Sequence, residues 1–135
     1  STIATLGNFS ASTGKAKSKK TFNVSALVAA SLAGKQVLNY RAHLPQGKRR
    51  ILYVDTEQSR YHCHTVLERI LRLAGLPTTA DSENLDFICL REYSPTVRIS
   101  VIDYALRQGK VTGWLSLTVS ATLCWTSTAP ANRWR

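Results

Sequence analysis

The chain has 135 residues, 44% of them hydrophobic, which suits one globular domain with a buried core. Its 18 Lys and Arg residues outnumber 8 Asp and Glu residues, and the net charge of +10 favours polyanionic partners such as nucleic acid, nucleotides or anionic membrane surfaces. A solvated basic surface explains this charge about equally well. The apolar runs are too short to cross a bilayer and no signal-peptide pattern is present, so we expect no membrane insertion and a cytoplasmic protein.

The three cysteines, Cys63, Cys89 and Cys124, are widely spaced and form no C-x-x-C pair. This spacing predicts neither a disulfide framework nor a zinc site, and it fits a reducing compartment. The run His62-Cys63-His64 contains metal-ligand residue types. Because neighbouring residues of a helix point to different faces, an ordinary helix start is the better interpretation of this run.

The N-terminal region carries the most informative motif. Residues 8–13 predict a short strand, and residues 14–21, GKAKSKKT, follow it directly. They fit the phosphate-binding pattern G-x-x-x-x-G-K-[ST] at every position except Lys19, which stands where the second Gly belongs. Residues 20–33 lack Gly and Pro and predict a helix that ends at Gly34. Strand, loop and helix therefore come in the order that a phosphate-binding loop requires.

A second informative stretch follows a predicted buried strand. Residues 36–50 predict an exposed connection with a basic end, and residues 51–54, ILYV, predict a strand that runs into the polar segment 55–59, DTEQS. Ser59 is a candidate N-cap for an amphipathic helix over residues 60–74. Polar groups at the carboxyl end of a parallel strand lie where open α/β sheets bind ligands.

The alternation of strand and helix then repeats. Residues 85–90 predict a third strand, and Pro95 begins a helix that ends near Gly109. This alternation predicts an α/β fold with a mainly parallel sheet and right-handed crossovers.

The composition changes after Lys110. Residues 111–135 contain all three Trp residues and no acidic residue. Residues 115–120 alternate as an exposed strand does, whereas residues 121–135 predict neither a helix nor a strand that pairs with what precedes them.

The loop 14–21 and the segment 55–59 together resemble the N-terminal half of a RecA-like P-loop ATPase domain. In particular, residues 7–108 resemble the RepA-like replication and mobilisation ATPases of plasmids and conjugative elements, in the AAA/RecA superfamily. The resemblance implies a three-layer α/β fold that binds ATP and Mg²⁺, serves DNA replication or transfer, and forms homo-oligomers such as a hexameric ring.

The resemblance also assigns site residues. Lys20 would contact the phosphates, Thr21 would bind Mg²⁺, and Glu57 would be the catalytic residue that polarises the attacking water. The alternatives are a plain basic turn for the loop and a solvated carboxylate for Glu57. The full set of predicted nucleotide-binding residues is Gly14, Lys15, Ala16, Lys17, Ser18, Lys19, Lys20 and Thr21.

An intact domain of this family continues into a hydrophobic strand that ends in Asp, the Walker B element, and no such sequence follows Lys110. A one-base shift of the reading frame joins the last base of each codon to the first two bases of the next codon. In that frame, the codons of residues 113–123 can encode the peptide L-[AV]-I-I-D-G-I-R-D-L, and those of residues 123–134 can encode V-L-D-I-N-S-P-G-E-S-M. Both peptides resemble the family. We therefore predict a partial ATPase domain in residues 1–110, with a sheet that is incomplete after residue 110, and an aberrant, frame-shifted and poorly structured tail in residues 111–135. We also predict hydrolysis near zero.

A non-enzymatic alternative is a small basic nucleic-acid-binding protein. In this interpretation the lysine-rich loop contacts phosphates, and Trp114, Trp125 and Trp134 stack on bases. It ranks second, because no helix-turn-helix or RNA-recognition signature accompanies the basic charge.

Overall fold

The computed structural model describes residues 9–12, 20–79, 82–109, 113–118 and 122–126. Within these ranges the chain forms an α/β fold with a five-stranded sheet, a two-stranded hairpin and three helices. The strands are β1 (Phe9–Ser12), β2 (Gln36–Val37), β3 (Tyr40–Arg41), β4 (Ile51–Asp55), β5 (Leu85–Cys89), β6 (Trp114–Thr118) and β7 (Thr122–Thr126). The helices are α1 (Lys20–Ala33), α2 (Arg60–Ala74) and α3 (Pro95–Arg107).

The large sheet has the strand order β1-β7-β6-β4-β5. Strand β4 pairs in parallel with β5 on one side and with β6 on the other, which confirms the α/β prediction around the centre of the sheet. Strand β7 is antiparallel to both β6 and β1. Because β7 reverses the direction twice, β1 runs the same way as β4, β5 and β6.

The three helices begin and end where local signals predict. The side chains of Ser59 and Ser94 accept hydrogen bonds from the backbone N–H groups of His62 and Val97, so each caps an otherwise unpaired helix N-terminus. Helix α2 ends at Gly75, whose φ of 74° lies in the left-handed region that glycine adopts without steric cost. These ends depend on residues within one helical turn, which is why the sequence predicts them.

The connection expected over residues 36–50 contains a small hairpin. Strands β2 and β3 pair antiparallel, with Gln36 opposite Arg41 and Val37 opposite Tyr40. Leu38, in the turn, has a φ of 52°, which is uncommon for a residue with a branched side chain. Two-residue strands are too short to produce a hydrophobic period, so the sequence pattern did not indicate them.

The prediction that the sheet is incomplete after residue 110 is wrong for the described part of that region. Strand β6 occupies an inner position between β4 and β7. The prediction that nothing after residue 121 pairs with the preceding chain is also wrong, because β7 pairs with β6 and places Phe9 of β1 opposite Trp125. The partner of β7 lies at the opposite end of the chain, so no local pattern could indicate this pairing.

Helices cover both faces of the sheet and make three layers. On the α1–α2 face, Ile51 and Tyr53 of β4 pack in one apolar cluster with both helices and Trp114. On the α3 face, Leu52 and Val54 form a smaller cluster with α3. All five residues of β4 are buried, because the strand lies between β6 and β5 and is covered on both faces.

Candidate functional site

The carboxyl ends of the three parallel strands meet in one row of residues. Asp55, the last residue of β4, lies opposite Cys89 of β5 and opposite Thr118 of β6. We call Cys89, Asp55 and Thr118 the carboxyl-edge row. Ligands of open α/β sheets bind beyond such an edge, so the side chains that follow these strands are the candidate site.

Asp55 organises the loop after β4. Its side chain is fully buried, and its Oδ1 accepts hydrogen bonds from the backbone N–H groups of Glu57 and Gln58, each at 2.9 Å. Such an Asx turn holds the loop in one conformation. Among the described groups, Asp55 Oδ2 has no hydrogen-bond partner by distance and angle, which is costly for a buried carboxylate oxygen.

The start of α1 reaches the same edge. Gln58 Nε2 donates a hydrogen bond of 3.3 Å to Thr21 Oγ1, and both side chains are half-buried. This contact agrees with the strand directions, since a helix that follows β1 begins at the carboxyl edge. The structure therefore brings Thr21, the last residue of one segment that the sequence singled out, into contact with Gln58 of the other.

The structure describes only some of the predicted site residues. Lys20 and Thr21 form the first turn of α1. Glu57 lies in the loop after β4 with an exposed side chain, and the described contact to Thr21 is made by Gln58. The remaining predicted residues, Gly14, Lys15, Ala16, Lys17, Ser18 and Lys19, lie outside the described part of the chain.

Two cysteines, absent from the predicted site, meet beside Asp55. Cys63 Sγ in α2 lies 3.1 Å from Cys89 Sγ at the end of β5. Burial raises the pKa of the Cys63 thiol well above its ordinary value, and the hydrogen bond to Cys89 and the negative charge of Asp55 raise it further. The two cysteines lie 26 residues apart along the chain, so no short sequence motif contains both.

The two histidines next to Cys63 have separate partners. His62 Nδ1 lies 2.8 Å from Ser59 Oγ, and His64 Nε2 lies 2.8 Å from Glu68 Oε1. In the ranges that the structure describes, no three His, Cys, Asp or Glu side chains gather in a group suited to a metal ion. The described helices also include none that is long and apolar enough to cross a bilayer.

The structure corrects one element of the nucleic-acid alternative. Trp114 is buried in the cluster on the α1–α2 face, with 4% of its surface exposed, so its ring is not available to stack on bases. Trp134 and the side chain of Trp125 lie outside the described part of the chain.

No family model matches the chain, and comparisons with curated proteins and with solved structures also give no match.

Proposed function

We propose that the chain is the ATP-binding part of a RecA-like or RepA-like ATPase domain that serves DNA replication or mobilisation. The observation that carries this proposal is the hydrogen bond between Gln58 Nε2 and Thr21 Oγ1. It joins the end of a phosphate-binding loop motif to the polar segment at the carboxyl end of a central parallel strand. A strand, this loop and a helix at such an edge form the arrangement that cradles phosphates in P-loop proteins.

The residues present suit a magnesium nucleotide. Lys20 supplies a cation for the phosphates, Thr21 supplies a hydroxyl ligand for Mg²⁺, and Glu57 supplies an exposed carboxylate for a water molecule. The buried Asp55 carboxylate holds the Glu57 and Gln58 segment in place through two backbone hydrogen bonds. When bound, ATP would supply a phosphoryl group for transfer to water.

We further propose that this chain hydrolyses ATP at a rate near zero. The carboxyl-edge row ends in Thr118, at the position in β6 that lies opposite Asp55. In the frame-shifted reading, the Asp of the Walker B strand is encoded across the boundary between Leu117 and Thr118, at this same end of β6. The hypothesis of a frame shift thus predicts an acidic ligand where the present chain has an uncharged residue.

Binding of Mg·ATP tests the first proposal, with calorimetry as the measurement. Lys20→Ala should weaken binding at least about tenfold, because a charged hydrogen bond to phosphate is lost. Lys35→Ala is the matched control. Lys35 is exposed just beyond the far end of α1, about 20 Å away by helix geometry, and its loss should leave the affinity unchanged. Equal affinities of both variants and the parent chain would contradict the proposal.

Sequencing the coding DNA and comparing turnover test the second proposal. A frame-corrected chain should hydrolyse ATP and assemble as a homo-oligomer, while the present chain should only bind ATP. The frame-shift hypothesis is wrong if no single-base insertion or deletion restores the Walker B strand. DNA binding that falls steeply with salt and does not respond to ATP would instead favour the basic nucleic-acid-binding alternative.

A further inference from the structure

A pair of thiols connects two elements at the carboxyl edge of the sheet. Cys63 lies in the first turn of α2, and Cys89 is the last residue of β5. Their sulfur atoms are 3.1 Å apart. A disulfide bond is about 2.05 Å long, so the two sulfurs need to approach each other by only about 1 Å to bond.

The same backbone carbonyl faces both thiols. Cys89 Sγ lies 3.4 Å and Cys63 Sγ 3.6 Å from the carbonyl oxygen of Gln58. This shared contact holds the two sulfurs on the same side of the loop after β4. Asp55 lies beside Cys89 in the neighbouring strand, in register with it.

The two thiols differ in access to solvent. Cys63 has 3% of its surface exposed, whereas Cys89 is only half-buried. Burial also raises the pKa of the Cys63 thiol, so Cys63 stays protonated at neutral pH. A small oxidant therefore reaches and oxidises Cys89 first, with Cys63 positioned to react second.

We propose that Cys63 and Cys89 form a reversible disulfide when the chain meets a hydroperoxide. The Cys89 thiol gives up its proton and its sulfur attacks one peroxide oxygen. The O–O bond breaks, Cys89 becomes a sulfenic acid, and the departing hydroxide takes up that proton and leaves as one water molecule. The Cys63 sulfur then attacks the Cys89 sulfur and displaces the hydroxyl group, which leaves as a second water molecule with the Cys63 proton. In sum, two thiols are oxidised by two electrons and one peroxide is reduced to two waters.

The disulfide would tie the first turn of α2 to the end of β5 by a covalent bond. It would also remove both thiol donors from the Gln58 carbonyl, while the Gln58 side chain contacts Thr21. The pair is thus a modification site at the edge that carries the candidate nucleotide site. Its oxidation does not depend on whether the chain binds a nucleotide.

The experiment uses the reduced full chain treated with stoichiometric hydrogen peroxide and then alkylated. Peptide mass spectrometry should show a Cys63–Cys89 cross-link and a single alkylated cysteine, Cys124, and dithiothreitol should restore all three thiols. Alkylation of all three cysteines, or Cys89 that goes directly to sulfinic acid, would overturn the proposal. A cross-link that involves Cys124 would overturn it as well.

Serine variants separate the two steps. Cys124→Ser is the matched control, and it should form the same cross-link as the parent chain. In Cys63→Ser, Cys89 should accumulate as a sulfenic acid that dimedone labels, while the parent chain shows little labelling because Cys63 resolves it. Equal dimedone labelling of the parent chain and Cys63→Ser would contradict the proposal. If Cys63→Ser does not fold, the cross-link in Cys124→Ser decides the outcome.

Discussion

Strand β4 contributes side chains to both faces of the sheet, but helices bury the two faces to different extents. On the α1–α2 face, Ile51 and Tyr53 lie under two helices that also pack against each other. On the α3 face, α3 is the one described helix that packs on Leu52 and Val54. Helix α3 buries only Ala105 among its residues, and Ile99 and Tyr104 remain 68% and 65% exposed.

The more deeply buried α1–α2 face is also the face whose helices carry residues of the candidate site. Thr21 and Cys63 belong to α1 and α2, and both lie at the N-terminal ends of these helices. The N-terminal ends meet the carboxyl edge of the sheet, where Gln58 touches both α1 and the thiol pair. We infer that the α1–α2 face contributes most of the stability and positions the site.

Identical truncations on the two faces give the largest expected difference. Ile70 in α2 is fully buried, whereas Ile102 in α3 is half-buried. Ile70→Ala should lower the free energy of unfolding by about 3 kcal/mol, because it removes buried methyl groups and leaves a cavity. Ile102→Ala should cost about 1 kcal/mol. Urea denaturation measures both, and equal losses would show that the faces contribute alike.

A glycine substitution tests whether β6 belongs to the packed sheet. A Cβ added at Gly113 would lie 2.8 Å from the Lys48 carbonyl oxygen and 3.2 Å from the Arg50 carbonyl oxygen. Backbone atoms cannot move aside cheaply, so Gly113→Ala should destabilise the chain by about 2 kcal/mol. An unchanged midpoint of thermal unfolding would mean that the chain after residue 110 is not docked as described.

The free energy of unfolding at alkaline pH reports on the burial of Cys63 at the N-terminal end of α2. The pKa of Cys63 is raised in the folded state, so the unfolded chain loses its proton first as the pH increases. The contribution of Cys63 to the free energy of unfolding is fully present below the ordinary thiol pKa of about 8.5. Above that pH, the contribution decreases by up to about 1.4 kcal/mol per pH unit.

Denaturation under reducing conditions at pH about 7.5 and about 9.5 measures this effect for the parent chain and for Cys63→Ser. The informative quantity is the difference between the pH slopes of the two proteins, because the rest of the chain is the same in both. We expect the parent chain to lose about 1 kcal/mol more than Cys63→Ser over this interval. Parallel slopes would mean that Cys63 is solvated.

The smallest expected effect concerns a hydroxyl under the α1–α2 face. Ser116 is fully buried in β6 opposite Tyr53, and its Oγ finds no hydrogen-bond partner among the described residues. Ser116→Ala should therefore stabilise the chain by about 0.5 to 1 kcal/mol, because it removes an unsatisfied buried hydroxyl. A loss of stability of that size would show that the hydroxyl is hydrogen-bonded.

Ser116 also bears on the origin of the C-terminal region. A hydroxyl without a partner at the centre of a sheet is uncommon in a selected core. The frame-shifted reading places apolar Ile residues across this part of β6, which would fill the same space without a polar atom. The stability of a frame-corrected chain, compared with Ser116→Ala, would show how much of the difference this one position explains.

Much of the backbone could be predicted because its signals are local. Ser59 and Pro95 mark helix starts, and Gly34 marks a helix end, each within one turn of the boundary it sets. The apolar run of β4 likewise predicts a strand that is buried on both faces.

Local signals do not predict the pairing of β7. Residues 122–126 lack a strand pattern that points to a partner, yet β7 lies between β6 and β1. Its pairing depends on hydrogen bonds to β1, which is far away in the sequence, and the backbone can make these bonds with many side-chain sequences. The change in composition after Lys110 therefore indicates an unusual segment. It does not indicate whether that segment forms a strand that pairs with the rest of the sheet.

By itself, the sequence determined the helices, the strands β4 and β5, and the two polar segments that end at Thr21 and begin at Asp55. Only the tertiary structure decided that Gln58 contacts Thr21 and that Cys63 meets Cys89. Helix ends follow from neighbouring residues, whereas these contacts depend on how strand order and helix packing bring distant parts of the chain to one edge.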